Sequence, residues 1–240
     1  MRYGVFGDVH SNIEALRAVV AALEQERPDV LVCPGDIVGY GASPKECVDI
    51  VRSLDPVIVA GNHDWAACGR LGLEYFNHYA REAILWTRKE LSREDVQWLS
   101  RLPLVRVHEK VTLAHGTIHD PQMFEYLQTP YDAHLSFAAL TTPFGFVGHS
   151  HIPVTFRSGP TISYVVGDQI DLRAAAQALS NVGSVGQPRD EDPRAAFGVF
   201  DDETRVLRVR RVSYDVEGAI ARIRAAGLPD FLGERLRIGR

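Results

Sequence analysis

Five short polar clusters each follow directly on a β-branched or otherwise apolar run: Asp8-Val9-His10, Gly35-Asp36, Gly61-Asn62-His63-Asp64, His115-Gly116 and Gly148-His149-Ser150-His151. The preceding runs are Tyr3 to Phe6, Val30 to Cys33, Val57 to Ala60, Val111 to Ala114 and Phe144 to Val147, and they read as buried strands. A chain built this way sets carboxylates, imidazoles and one amide at the C-terminal ends of several strands. Open α/β sheets place their ligands at those ends.

The segments between the clusters fix the fold class. Ser11 followed by Glu14 predicts a capping box, and Ile13, Leu16, Val19, Val20 and Leu23 then follow helical spacing. Pro28 limits that helix. A second helix is expected from Ser43-Pro44, with proline at the first helical position. The βαβαβ order predicts parallel pairing with helices packed on the sheet. Residues 74–102 read as helical, with a new N-cap at Ser92, and Asp132 to Leu140 and Asp215 to Ala226 are further helices. Glu109-Lys110 predicts a hairpin turn, and strands are expected at 154–157, 162–167, 196–201 and 205–212. Residues 181–194 read as one long loop. The sum is an α/β fold of two mixed β-sheets packed face to face with helices on the outer faces. Residues 1–212 form its domain, and 213–240 are a C-terminal helical extension of that domain.

Composition removes several classes. The formal charge is −5 and no long Lys/Arg block occurs, which argues against a dedicated nucleic-acid surface. Three cysteines without a C-x-x-C pair argue against a disulfide framework or a zinc-thiolate knuckle. No apolar run approaches the roughly 20 residues that span a bilayer. Arg2-Tyr3-Gly4-Val5 runs straight into the first cluster, so a cytoplasmic location is expected.

Asp8 and His10 flank Val9, and His149 and His151 flank Ser150, so in an extended segment each pair points one way. With Asp36, Asn62 and His115 they make seven oxygen or nitrogen donors. Burying them without a cation leaves unpaired polar groups at a cost of several kcal/mol. Mixed donors of this kind suit Mn, Fe, Co, Ni or Zn.

The order D-x-H, G-D, G-N-H-D, H-G, G-H-x-H, from residue 8 to 151, resembles the calcineurin-like metallophosphoesterases and, within them, the small bacterial phosphodiesterase branch. The resemblance implies one metal held by Asp8, His10, Asp36 and His151. It implies a second held by Asp36, Asn62, His115 and His149, with Asp36 bridging the two. Two cations so held lower the pKa of a shared water, which becomes the nucleophile for in-line attack on phosphorus. His63 would sit beside the second metal as a catalytic residue, to protonate the leaving oxygen or to stabilise charge on the phosphoryl group.

Phosphoprotein phosphatases of the wider superfamily carry Asp-Arg where this chain has Gly39-Tyr40, so their phosphate clamp and the carboxylate behind the histidine are missing. Arg189 is a candidate replacement clamp. Tyr40, His119 and Tyr126 are candidate pocket residues, and Asn181 either faces the metals or makes an Asx-turn. The expected activity is phosphodiester hydrolysis on small molecules or nucleotides. The alternatives are a phosphomonoesterase, including a phosphoprotein phosphatase, a dinucleoside-polyphosphate hydrolase, or a non-enzymatic scaffold.

Overall fold

In the computed structural model, which describes residues 1–240, the first βαβαβ passage forms as the pattern predicts. It comprises β1 (Arg2–Val5), α1 (Ile13–Glu26), β2 (Val30–Cys33), α2 (Pro44–Leu54) and the very short β3 (Val57–Ile58). These three strands pair in parallel. Three helices follow: α3 (Asn62–Ala67), α4 (His78–Glu90) and α5 (Arg93–Ser100). Next come the hairpin strands β4 (Val105–His108) and β5 (Val111–Ala114), then α6 (Pro130–Ala139) and β6 (Phe144–Val147). The remaining strands are β7 (Val154–Arg157), β8 (Ser163–Val165), β9 (Gln169–Asp171), β10 (Ala178–Asn181), β11 (Ala195–Asp201) and β12 (Val206–Val212). Helices α7 (Val216–Ala225) and α8 (Asp230–Glu234) close the chain.

Two six-stranded mixed sheets result, with orders β3-β2-β1-β11-β12-β9 and β4-β5-β6-β10-β7-β8. Strand periodicity sorts their side chains. Tyr3, Val5, Val32 and Phe200 from the first sheet meet Val111, Leu113, Phe144 and Phe146 from the second in one buried cluster. Val199 and Phe197 point the other way and pack on Leu16 and Val19 of α1. Phe137 and Ala133 of α6 cover the outer face of the second sheet. Each large side chain so buried contributes roughly 1.5–3 kcal/mol. Helices α7 and α8 pack Ile220, Ile223 and Leu232 beside Tyr40 and Ala83. That contact brings the C-terminal segment next to the loop after β2. No helix is long and apolar enough to cross a membrane.

Three local expectations are corrected. The N-cap of α1 is Asn12, whose Oδ1 accepts from the Ala15 amide at 3.1 Å. Ser11 is drawn into the left-handed region, φ 54°, because its amide donates to Ile37 O at 2.9 Å. Glu14 turns away to Arg222 at 2.5 Å, so the Ser11–Glu14 box does not form. The loop expected at 181–194 begins with the last residue of β10, and residues 182–188 are buried. Strands β9 and β10 have no counterpart in the sequence pattern. β10 reads Ala-Leu-Ser-Asn, without a β-branched residue, yet lies between β6 and β7 with all four residues buried.

The cap expected at Ser92 is a capping box closed by Asp95, which accepts from the Ser92 amide at 3.0 Å and returns its own amide to Ser92 Oγ at 3.2 Å. Arg52 donates to the same carboxylate at 2.8 Å. Burial opposes the charge, but the Ser92 hydrogen bonds and Arg52 outweigh it and hold the Asp95 carboxyl below its ordinary value. An Asp95→Ala protein is expected to lose about 1–2 kcal/mol in urea unfolding at pH 7. Because the folded-state value is depressed, this stabilisation is complete above about pH 4, near the unfolded value. It is lost as the pH falls through the folded-state value, and the gap between wild type and variant closes there.

Candidate metal centre

The loops after β1 and β2 are laced together by their backbones. The Asp8 amide donates to Gly35 O at 2.9 Å and the His10 amide to Asp36 O at 3.0 Å. Asp64 holds the second loop from behind. Its carboxylate accepts from the amides of Asp36 and Ile37, both at 2.9 Å, from Gly61 at 3.0 Å and from Val38 at 3.2 Å. Its role is therefore loop positioning, and it makes no contact with His63 through these bonds. Gly61 caps α3, so Asn62 and His63 lie on the first turn, and the His63 amide donates to Asp36 Oδ1 at 2.9 Å. A Cβ at Gly61 would lie 1.9 Å from that Oδ1, so no other residue fits this crossing. From the second sheet, His115 follows β5, and His149 and His151 follow β6. The His149 amide donates to Asp8 Oδ1 at 3.0 Å and ties the two sheets together.

The alternation argument from sequence reaches the right convergence by the wrong geometry. Asp8, His10, Asp36, His149 and His151 all adopt positive φ, between 48° and 69°. None of the pairs sits in extended backbone. Such conformations cost of order 1–3 kcal/mol each in non-glycine residues and persist where the surroundings over-determine them.

Three atom groups result, each with its ligand atoms within 4.8 Å of one another: Asp8, His10 and His151; His10, Asp36 and His63; and Asp36, His115 and His149. Asn62 joins the third group, with Oδ1 3.1 Å from His115 Nε2. Hydrogen bonding fixes which imidazole atoms face inward. Nδ1 of His10, His115 and His151 donates to the carbonyls of Val38 at 3.1 Å, Pro34 at 2.8 Å and Gln187 at 2.6 Å. A carbonyl only accepts, so each Nδ1 carries a proton and each Nε2 turns its lone pair inward. His10 Nε2 and His151 Nε2 stand 2.9 Å apart, two lone pairs face to face. Asp36 Oδ2 lies 3.2 Å from His115 Nε2 and 3.5 Å from His10 Nε2. Asp36 Oδ2 and Asp8 Oδ2 are buried with no well-formed hydrogen bond.

The electrostatics carry the same conflict. Burial pushes the Asp8 carboxyl up to about 7, although His115 opposes it. Burial and the charge of Asp36 push Asp64 up to about 7. Burial also works against Asp36, but His115, His63 and His10 together hold its carboxyl below the usual range. Burial would lower His115, and Asp36 outweighs it and raises that imidazole to about 9. A proton shared with Asp36 thus eases the conflict at His115. No such relief exists at the His10–His151 contact, where burial pushes both imidazoles well below their ordinary value. His149 is lowered in the same way, and His63 falls to about 4. The facing acceptors are what a positive ion would reconcile, and the donor set fits divalent transition metals.

The other expected site residues divide. His63 lies against His10 of the first group, ring centres 4.8 Å apart, rather than beside the second group alone. Its Nδ1 is buried without a partner. Tyr40 packs at 4.4 Å against His63 with the ring planes tilted 48°, and Arg189 lies over the Tyr40 ring at 5.7 Å. Tyr40, Tyr126 and Arg189 all line the cavity above the donors. His119 does not line it; its Nδ1 is 3.4 Å from Ser136 Oγ. Asn181 makes the Asx-turn, accepting from the Gly183 amide at 2.8 Å. Phe76 and Phe124 meet His63 and His115 edge-on and were not singled out in the sequence, where isolated aromatics in irregular segments carry no spacing signal.

A family model described as calcineurin-like phosphoesterase matches residues 1–170. An uncharacterized protein of Methanocaldococcus jannaschii is 40% identical over 241 residues, covering 98% of this chain and 97% of that protein. Among solved structures, a metallophosphoesterase from Sphaerobacter thermophilus superposes with a TM-score of 0.88 at 39% identity, covering 100% of both chains. A hypothetical protein from Pyrococcus horikoshii OT3 reaches 0.81 at 18% identity over 100% of this chain and 98% of its own, a likeness of fold alone.

Proposed function

The chain belongs to the calcineurin-like phosphoesterase family, and from that premise we propose that it hydrolyses phosphodiester bonds of small molecules or nucleotides at a pair of divalent cations. It is a metal-dependent hydrolase of phosphoric esters. One cation would be held by Asp8, His10, Asp36 and His151, the other by Asp36, Asn62, His115 and His149. The observation that supports this reading best is the inward turn of Nε2 of His10, His115 and His151 onto the Asp8 and Asp36 carboxylates, whose Oδ2 atoms are buried without a hydrogen bond. When bound, two such cations supply positive charge to a phosphoryl group and acidify water between them.

The chain's own groups do the rest. Asp36, fixed by the His63 amide and reached from both groups, sets the spacing of the two sites. The carbonyls of Val38, Pro34 and Gln187 hold three imidazoles in one tautomer, so no rotation is needed before the substrate arrives. His63 borders the cavity and, with a phosphate anion beside it to offset the burial that lowers its pKa, would donate a proton to the leaving oxygen. Arg189 borders it too, with no carboxylate partner, and offers its guanidinium to the non-bridging phosphate oxygens.

That guanidinium, held by Gln187 and Tyr40 but by no carboxylate, is also the one observation favouring a second reading, a phosphomonoesterase, since a dianionic ester would use it fully. Hydrolysis of bis-p-nitrophenyl phosphate and p-nitrophenyl phosphate by protein of measured Mn content separates the two. The diester is expected to have the higher kcat/KM by about tenfold or more, on the order of 1.4 kcal/mol in the transition state. A preference for the monoester replaces the first reading with the second.

A further inference from the structure

Four of the donors, Asp36, Asn62, His149 and His151, line a cavity of about 310 Å³, and half of its lining residues are hydrophobic. Its walls come from two segments that supply none of the donors. Tyr75 and Phe76 precede α4, and Met123, Phe124 and Tyr126 follow His115. Tyr126 lies flat on His149, ring centres 4.1 Å apart and planes 16° apart. Tyr75, Met123 and Tyr126 are 72%, 56% and 46% exposed. Scattered exposed apolar residues need no explanation, but three around one concave site do.

Resting on the phosphoesterase reading, we propose that these walls receive a planar ring carried by the substrate, and that the substrates are nucleotide-class phosphoesters whose base stacks there. Arg189 is the lone Lys or Arg of the lining, so an inorganic polyphosphate would find too little positive charge beyond the donor floor. A bare sugar phosphate would leave the aromatic walls wet, and each of the two amides beside them has one of its two polar atoms engaged. Asn77 Oδ1 caps α4 through the Ala80 amide at 3.0 Å, and Gln122 Nε2 donates to Asp120. With neither amide free to present donor and acceptor together, the base is held chiefly by its face, which tolerates both purines and pyrimidines.

Adenosine 5′-monophosphate and ribose 5-phosphate carry the same phosphate and sugar and differ in the base alone. Calorimetric titration of Mn-loaded protein is expected to give roughly tenfold or greater preference for the nucleotide, the scale of one stacked base. Tyr75→Ala should reduce nucleotide affinity about fivefold and leave ribose 5-phosphate binding where it was. Tyr126→Leu provides the same comparison from the other wall. Equal affinities, or an unchanged preference in both variants, overturn the ring pocket. If bis-p-nitrophenyl phosphate is still hydrolysed in that case, the phosphoesterase reading stands without it. A protein that binds neither ligand and cleaves no ester sinks both.

Discussion

An Asp36→Asn protein is expected to fold normally, to hold no more than one divalent cation per chain, and to cleave bis-p-nitrophenyl phosphate at least about a thousandfold more slowly, on the order of 4 kcal/mol of lost transition-state stabilisation. The fold should survive because an asparagine Oδ1 can still accept from the His63 amide, as Asp36 does at 2.9 Å. What disappears is the charge on Oδ2, the oxygen that faces both His10 and His115. Two cations a few ångströms apart repel each other, and a carboxylate shared between them would offset that repulsion. The check is elemental analysis of dialysed protein beside the rate, with a melting curve in excess Mn. Wild type should gain stability as the metal saturates it, and the variant should gain less. Two cations per chain and a near wild-type rate in the variant would remove Asp36 from the centre of the mechanism.

The sequence exposes the floor of the site far better than its walls, and the reason is physical. Asp8, Asp36, His115 and His149 each stand one to three residues beyond an apolar strand, so their position is tied to a strong local signal. Tyr75 and Met123 end single 3-10 turns and Tyr126 lies in an irregular segment, too short for their spacing to say what they face. The two-sheet architecture is legible for the same reason that β5 and β6 are. Their β-branched and aromatic runs have few other places to go. β10 escapes because Ala178, Ser180 and Asn181 are chosen for small size and hydrogen bonding between two neighbours, not for strand propensity. Asn12 outcompetes Ser11 as the cap of α1 because its amide also reaches Gly186 O at 2.9 Å. That partner lies 174 residues away, and no local window contains it.

His63→Ala is expected to keep both cations and lose about 10²- to 10⁴-fold in kcat, the range of a positioned proton donor. How His63 is held makes a sharper test available. No carboxylate backs its Nδ1, which is buried and unpartnered. The ring is fixed by packing between His10, Tyr40 and Phe76, with centre distances of 4.8, 4.4 and 5.1 Å. The ring also abuts Gly39, at φ +94°, where a Cβ would fall 2.3 Å from Nδ1. The room that the phosphatases' Asp would fill is taken by the imidazole itself. Gly39→Ala therefore adds left-handed strain and pushes the ring from its seat, the three atoms nearest the new Cβ all belonging to His63. Its metal content should match wild type and its kcat should fall by about tenfold or more. If His63 gives up a proton to the leaving oxygen, the loss must grow as that oxygen becomes a poorer leaving group. Phenyl esters should then suffer more than p-nitrophenyl esters in both variants. A loss of equal size on the two esters would mean that His63 steadies charge on the phosphoryl group and that the proton comes from solvent.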